Sequence, residues 1–208
     1  MTLSLKTQNL PLVGIYIIFN IAIFLTLLNT GNIDIHSIQD YFEQLSLKDG
    51  VFFSALTLII IVFGGIFSNK IKEIIVFWKL ENRLPGCRAF NKYAQEDSRI
   101  DLNNIQIKYG EIPTLPNEQN RYWYKIFKSL DDKSIDKTHK DFLLCRELAV
   151  MTLLMMFLAA LIFWFHGVAP ALFYFCFLLF EYLIIRFCSK NSAERLVVNS
   201  LALGSTTK

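Results

Sequence analysis

Charge is scarce where this sequence is most apolar. Residues 10–28, 51–67, 148–165 and 168–187 form long apolar runs. Only Glu181 and Arg186 are charged within them, and Arg186 stands at an end. A helix needs roughly 17–25 apolar residues to cross about 30 Å of hydrocarbon. Each run approaches or exceeds that length, and a charge inside a span is costly. The clustering argues against a greasy soluble bundle and for four membrane spans. More than half of the 208 residues are apolar, with 19 Phe.

Other absences narrow the chemistry. There is no G-x-S-x-G, no Walker A loop, no H-E-x-x-H and no glycine-rich dinucleotide fingerprint. Four cysteines are too few and too scattered for a disulfide framework. Cys87, His139 and Cys145 lack metal-ligand spacing. No catalytic residue, metal, cofactor or small-molecule substrate is therefore expected, and the chain reads as a non-enzyme. No A-x-A site follows the first run, which ends in Leu-Asn-Thr-Gly-Asn. The run is also long for a signal core, so it reads as a retained anchor.

Positive charge sets the orientation. The loop 29–50 carries Asp34, Asp40, Glu43 and Asp49 against Lys48. After the second run come Lys70, Lys72, Lys79, Arg83, Arg88 and Lys92. The end of the chain adds Lys190, Arg195 and Lys208, and the turn His166 to Val168 has no Lys or Arg. Both termini and the central region are expected in the cytoplasm.

The fold class that follows is an all-α membrane protein. Two transmembrane hairpins flank a small helical cytoplasmic domain. Residues 1–9 are a cytoplasmic N-terminus, and 10–67 the first hairpin with its outer loop 29–50. Residues 68–147 are stalk helices and the inserted domain, 148–187 the second hairpin, and 188–208 a tail. In the outer loop, Ser37 as N-cap and Asp40 three residues on predict a helix with Ile38, Tyr41, Phe42 and Leu45 on one face. Ile71, Ile74, Ile75 and Trp78 predict that the second span continues as a helix until Leu84-Pro85-Gly86. Asp136 to Glu147 predicts an early start for the third. Between them, helical patches are expected at 87–94, 101–109 and 117–130, with Pro113 and Pro116 separating the last two.

Arg121-Tyr122-Trp123-Tyr124-Lys125-Ile126-Phe127-Lys128 mixes cations and aromatics. Such a string suits a half-buried helix or a membrane interface, and also contact with nucleic acid or a protein. Residues 70–147 hold 15 Lys and Arg against 12 Asp and Glu, too even a balance for a duplex-binding surface. Arg88, Arg99, Asp101, Arg146 and Glu147 read first as locking salt bridges. Glu181 is the most informative residue, because an intramembrane carboxylate needs a partner or a wet cavity. Asn20 in the first run has matching polarity, and Gly64-Gly65 permits close helix approach. Polar glue for the bundle, an oligomer contact and a pore lining all remain open.

Four strings carry a resemblance. They are Leu84-Pro85-Gly86-Cys87-Arg88-Ala89-Phe90, Ser98-Arg99-Ile100-Asp101, Glu118-Gln119-Asn120-Arg121-Tyr122-Trp123-Tyr124, and His139-Lys140-Asp141-Phe142-Leu143-Leu144-Cys145-Arg146. The chain here resembles a family of small bacterial inner-membrane proteins that includes transmembrane effectors of retron antiphage systems. The resemblance covers about a third of the chain. It implies an effector held inactive by a reverse transcriptase with its RNA-linked DNA. Once released, the effector perturbs the inner membrane and arrests or kills the cell. Under that reading Glu181 and Asn20 act in the membrane, and Arg88, Arg121, Trp123 and Arg146 face the partner. The lipid bilayer is the target, and a homo-oligomer is compatible. The alternative is a non-catalytic anchor or assembly protein recruiting a cytoplasmic partner.

Overall fold

The structure, a computed structural model, describes residues 4–30 and 47–206. The expected helix around Ser37, Asp40, Tyr41, Phe42 and Leu45 lies outside the described residues. Every regular element among the described residues is helical. In chain order these are α1 (Leu5–Thr30), α2 (Leu47–Ile66), α3 (Asn69–Phe77), α4 (Leu102–Tyr109), α5 (Pro116–Ser129), α6 (Lys133–His166) and α7 (Ala169–Thr206). Between α3 and α4 the chain makes a 3-10 turn at Pro85–Arg88, a π turn at Ala89–Tyr93 and one α turn at Ala94–Glu96. The helical class is as expected.

Three helices, α1, α6 and α7, are long and apolar enough to cross a membrane. In α2 the described apolar stretch is shorter, Thr57–Ile66. Local chemistry fixes the helix ends. Ser4 Oγ accepts the Thr7 N–H at 3.2 Å and caps α1. Gly167 takes a left-handed φ of 62° and donates its N–H to Phe163 O at 2.8 Å, which closes α6 before α7 begins.

One expectation is corrected. The second apolar run does not continue as a single helix to Leu84. It stops at Ile66, and α3 restarts at Asn69. Ser68 supplies the reason: its Oγ accepts the Ile71 N–H at 3.4 Å, so a new helix start is satisfied there. The apolar period at Ile71, Ile74 and Ile75 carries through the break and conceals it. The second stop comes at Trp78, whose φ of 52° no helix tolerates.

The chain divides into two compact units, Met1–Lys72 with Arg146–Ile185, and Glu73–Cys145 with Arg186–Lys208. In the first unit α1 packs on α2. Gly64 is buried, and a Cβ there would run into the Met151 side chain. The sequence pair Gly64-Gly65 thus does permit a close approach, at its first member.

In the second unit the core joins Phe90, Tyr93, Ile105, Trp123, Ile126 and Phe127 to Leu196, Val197 and Leu201 of α7. The stretch expected as a tail is helical up to Thr206 and contributes Leu196, Val197 and Leu201 to this core. Asn104 Nδ2 donates to Ser205 O at 2.6 Å and Lys108 Nζ to Gly204 O at 3.3 Å, covering carbonyls that the end of α7 leaves open. Gln119 is fully buried and clasps the irregular turns. Its Oε1 accepts from Phe90 N at 3.2 Å and Asn91 N at 3.4 Å, and its Nε2 donates to Thr114 O at 2.9 Å. Gly86 lies under α5, where a Cβ would strike Asn120 and Trp123. The distinctive strings at residues 84–90 and 118–124 thus meet each other in this core.

Candidate functional site: a polar seam inside the first unit

The first unit buries an unusual set of side chains. Asn9, Asn20, Thr26, Lys72, Arg146, Glu147 and Thr152 are all buried in it. A buried polar group of this kind needs an internal partner, because burial has removed its water. Their spacing on α1 is helical: Asn9, Tyr16 and Asn20 recur at seven and then four residues, which places them along one side. Eleven residues separate Asn9 from Asn20, about 16 Å along a helix axis.

At one end of the seam stands an ion pair. Lys72 Nζ and Glu147 Oε2 are 2.5 Å apart, and Arg146 Nη2 reaches Glu147 Oε1 at 3.2 Å. One carboxylate thus serves two cations. Burial pushes the Lys72 ammonium below its ordinary pKa, and the bond to Glu147 works against that shift. Lys72, Glu147, Lys6 and Asn9 border a cavity of about 300 Å³. Glu147 and Arg146 were read from the sequence as candidates for a locking salt bridge, but Lys72 did not stand out, being one charge among several beside an apolar run. The usable signal was an opposite pair placed immediately next to two runs.

Further along the seam α1, α6 and α7 converge. Tyr16 Oη lies 2.7 Å from Thr152 Oγ1. Thr152 in turn donates to Leu148 O at 2.7 Å. Asn20 Nδ2 donates to Tyr16 O at 3.2 Å, and Tyr174 Oη donates to Asn20 O at 3.0 Å. Glu181 of α7 faces this group, with the Tyr16 hydroxyl and the Asn20 side chain as its hydrogen-bonding neighbours. The two residues singled out from the sequence are therefore together. Tyr16, Thr152 and Tyr174 were missed because a hydroxyl within an apolar run is common and carries no charge.

Arg186 does not complete the site. Its guanidinium lies 3.6 Å from the centroid of the Trp78 ring in the second unit, a cation–π contact. Among the described residues Glu181 enters no salt bridge.

Beyond Tyr174 the lining changes. A second cavity of about 300 Å³ is walled by Ile21, Phe24, Ile60, Met155 and Leu158, with Tyr174 at its edge. The Phe24 and Tyr174 rings are 4.9 Å apart. An apolar lining of this kind offers water and ions few partners.

The remaining residues singled out from the sequence divide by burial. Trp123 is in the core of the second unit, stacked on Phe127 with centroids 5.7 Å apart, and its Nε1 donates to Ser200 Oγ at 2.6 Å. Arg146 is buried beside Glu147. Burial gives both a structural role. Arg121 is exposed, and Arg88 is half-buried with its Nη1 donating to Asn82 O at 3.1 Å. Burial pushes the Cys87 thiol up and holds Cys145 at about 11, so both are thiols at neutral pH. No group of three His, Cys, Asp or Glu suited to a metal occurs among the described residues. Comparison with family models, curated proteins and solved structures finds no match, so the seam itself carries the functional reading.

Proposed function

We propose that this chain is a membrane-embedded effector that makes its own membrane leak ions, and thereby arrests or kills the cell. The carrying observation is the polar seam of buried Lys72, Glu147, Thr152 and Asn20 with half-buried Tyr16 and Glu181, which ends at a cavity with an apolar lining. Polar groups at this depth are expensive and mark pathways in membrane proteins. The apolar cavity closed by Phe24 and Tyr174 is the resting gate in this reading. Opening needs only a modest rearrangement of packed helices into a second discrete arrangement.

In the same reading α2 is the fourth span, both termini are cytoplasmic, and the membrane is a bacterial inner membrane. The narrower form has the second unit held by a reverse transcriptase with RNA-linked DNA. Its support is the likeness of the four residue strings to retron-associated effectors. A recruiting anchor is the second reading. It draws on Leu80, Ile107 and Leu115, which the second unit leaves exposed.

Expression of the chain alone, with membrane potential followed by a voltage-sensitive dye, separates the two. The effector reading expects depolarisation soon after induction. An unchanged potential in cells that carry inserted protein overturns it and leaves the anchor.

A further inference from the structure

The convergence at Glu181 is short of donors. Thr152 has one proton, and it goes to Leu148 O. The Tyr174 proton goes to Asn20 O. One Asn20 amide proton goes to Tyr16 O. The Tyr16 hydroxyl proton then has two claimants, Thr152 Oγ1 at 2.7 Å and the Glu181 carboxyl. Whichever it serves, acceptors remain. Asn20 is fully buried, yet its Oδ1 has no hydrogen-bond partner among the described residues. The same is true of Glu181 Oε2, which is shielded from solvent. Buried polar atoms are normally satisfied, and two idle acceptors, one of them on the Glu181 carboxyl itself, need an explanation.

A polar cluster built only to fasten helices balances donors with acceptors. This one has an excess of acceptor oxygen around a carboxyl group, with no cationic side chain paired to it. A cation is coordinated by several hard oxygens at once, and carboxyl, amide and hydroxyl oxygens of that kind meet here. Divalent cations are held by several carboxylates, and there is one.

We infer that Glu181, Asn20 and Tyr16 form a monovalent-cation site, and that it makes the leak selective for cations over anions. The inference rests on the permeability reading proposed above and names what passes.

The test uses the purified full chain in a planar bilayer of phosphatidylcholine, whose headgroup has no net charge to bias the result. Reversal potentials are read in a potassium chloride gradient and again with calcium chloride. The wild type is expected to favour potassium over chloride by about tenfold or more, as carboxylate-lined pathways do. Calcium is expected to carry little current. Glu181→Gln is expected to lower the preference for potassium several-fold or to abolish the current, and Glu181→Asp to retain both. A wild-type current that is unselective, carried by chloride or carried equally by calcium overturns the cation site and leaves the leak standing. So does a Glu181→Gln variant with the wild-type preference. Loss of current in both Glu181 variants assigns the residue to helix packing and overturns the site as well. No current from inserted wild-type protein overturns the underlying reading, which separates the two failures.

Discussion

In the first unit Ile15, Phe19, Val62 and Phe173 are turned outward, while Asn20, Lys72 and Thr152 are buried. In the second unit Arg121 and Lys125 are exposed, and Trp123, Ile126 and Phe127 are buried. The helical period is the same in both. What differs is the solvent each surface suits. Apolar association drives the second unit, since water rejects its core residues. The outward apolar surface of the first unit suits lipid, which is as apolar as Leu, and helices that pack in lipid gain little from that effect. Close packing at Gly64 and internal hydrogen bonds at Asn20 and Thr152 take over that role. A buried polar residue is therefore an exception to explain in the second unit, as at Gln119, and part of the framework in the first.

The sharpest way to break this comparison is to remove the largest core residue of the second unit. Trp123→Ala loses the ring contacts and leaves Ser200 without its donor. The expected loss is about 4 kcal/mol, in the range of large aromatic truncations. Amide hydrogen exchange on the full chain in detergent is the measurement. Protection should collapse in α5 and the C-terminal part of α7, and stay unchanged in α1. Equal loss in α1 would mean the two units do not hold together by separate forces.

The next effect falls in the first unit. Glu147→Gln leaves Lys72 and Arg146 buried with no carboxylate, and breaking such a pair costs about 3 kcal/mol. Lys72→Met should cost less, because Arg146 still answers Glu147 at 3.2 Å. Thermal unfolding in detergent gives the order. The sign of the pH dependence follows from Lys72. Burial already lowers its pKa in the folded chain, and without Glu147 nothing opposes that shift. The unfolded chain then binds the proton more readily, so Glu147→Gln should regain stability as pH rises toward the ordinary lysine value. A loss that is equal for both single variants, or falls as pH falls, would show that the pair is not buried as described.

How much of this was legible depends on which solvent a residue suits. Four apolar runs were visible because charge is scarce in them, three of them in helices long and apolar enough to cross a membrane, and Glu181 was visible because it breaks that pattern. Leu196, Val197, Ser200, Leu201 and Gly204 recur at helical spacing, so the join of α7 to the second core was present in the sequence. Lys190 and Arg195 nearby made that stretch look like a solvated tail. Trp123 sat in a string whose outward members, Arg121, Lys125 and Lys128, suggested a binding surface. The inward set at Gln119, Trp123, Ile126 and Phe127 falls on the other face of α5. Donor shortage at Asn20 was not legible at all, since it depends on which hydroxyl proton goes where in three dimensions.

The smallest expected effect probes the second unit at an exposed ion pair. Arg99 Nη2 lies 2.7 Å from Asp97 Oδ2, and the Arg99 backbone N–H donates to Asp97 Oδ1 at 3.0 Å. These bonds hold the Asp97 carboxyl at about 2, below its ordinary 3.8. A carboxyl with a depressed folded pKa adds stability above its ordinary value and loses it as pH falls through the folded one. The contribution should therefore be complete above about pH 4 and gone near pH 2. Asp97→Asn should lower the unfolding midpoint of the second unit slightly at neutral pH, and the two proteins should converge in acid. Salt should shrink the difference further, since water already screens this pair. Lys72 and Glu147 have no such screening, so their response to salt should be far weaker. A salt response of equal size in both pairs would erase the contrast between a surface that water reaches and an interior that it does not.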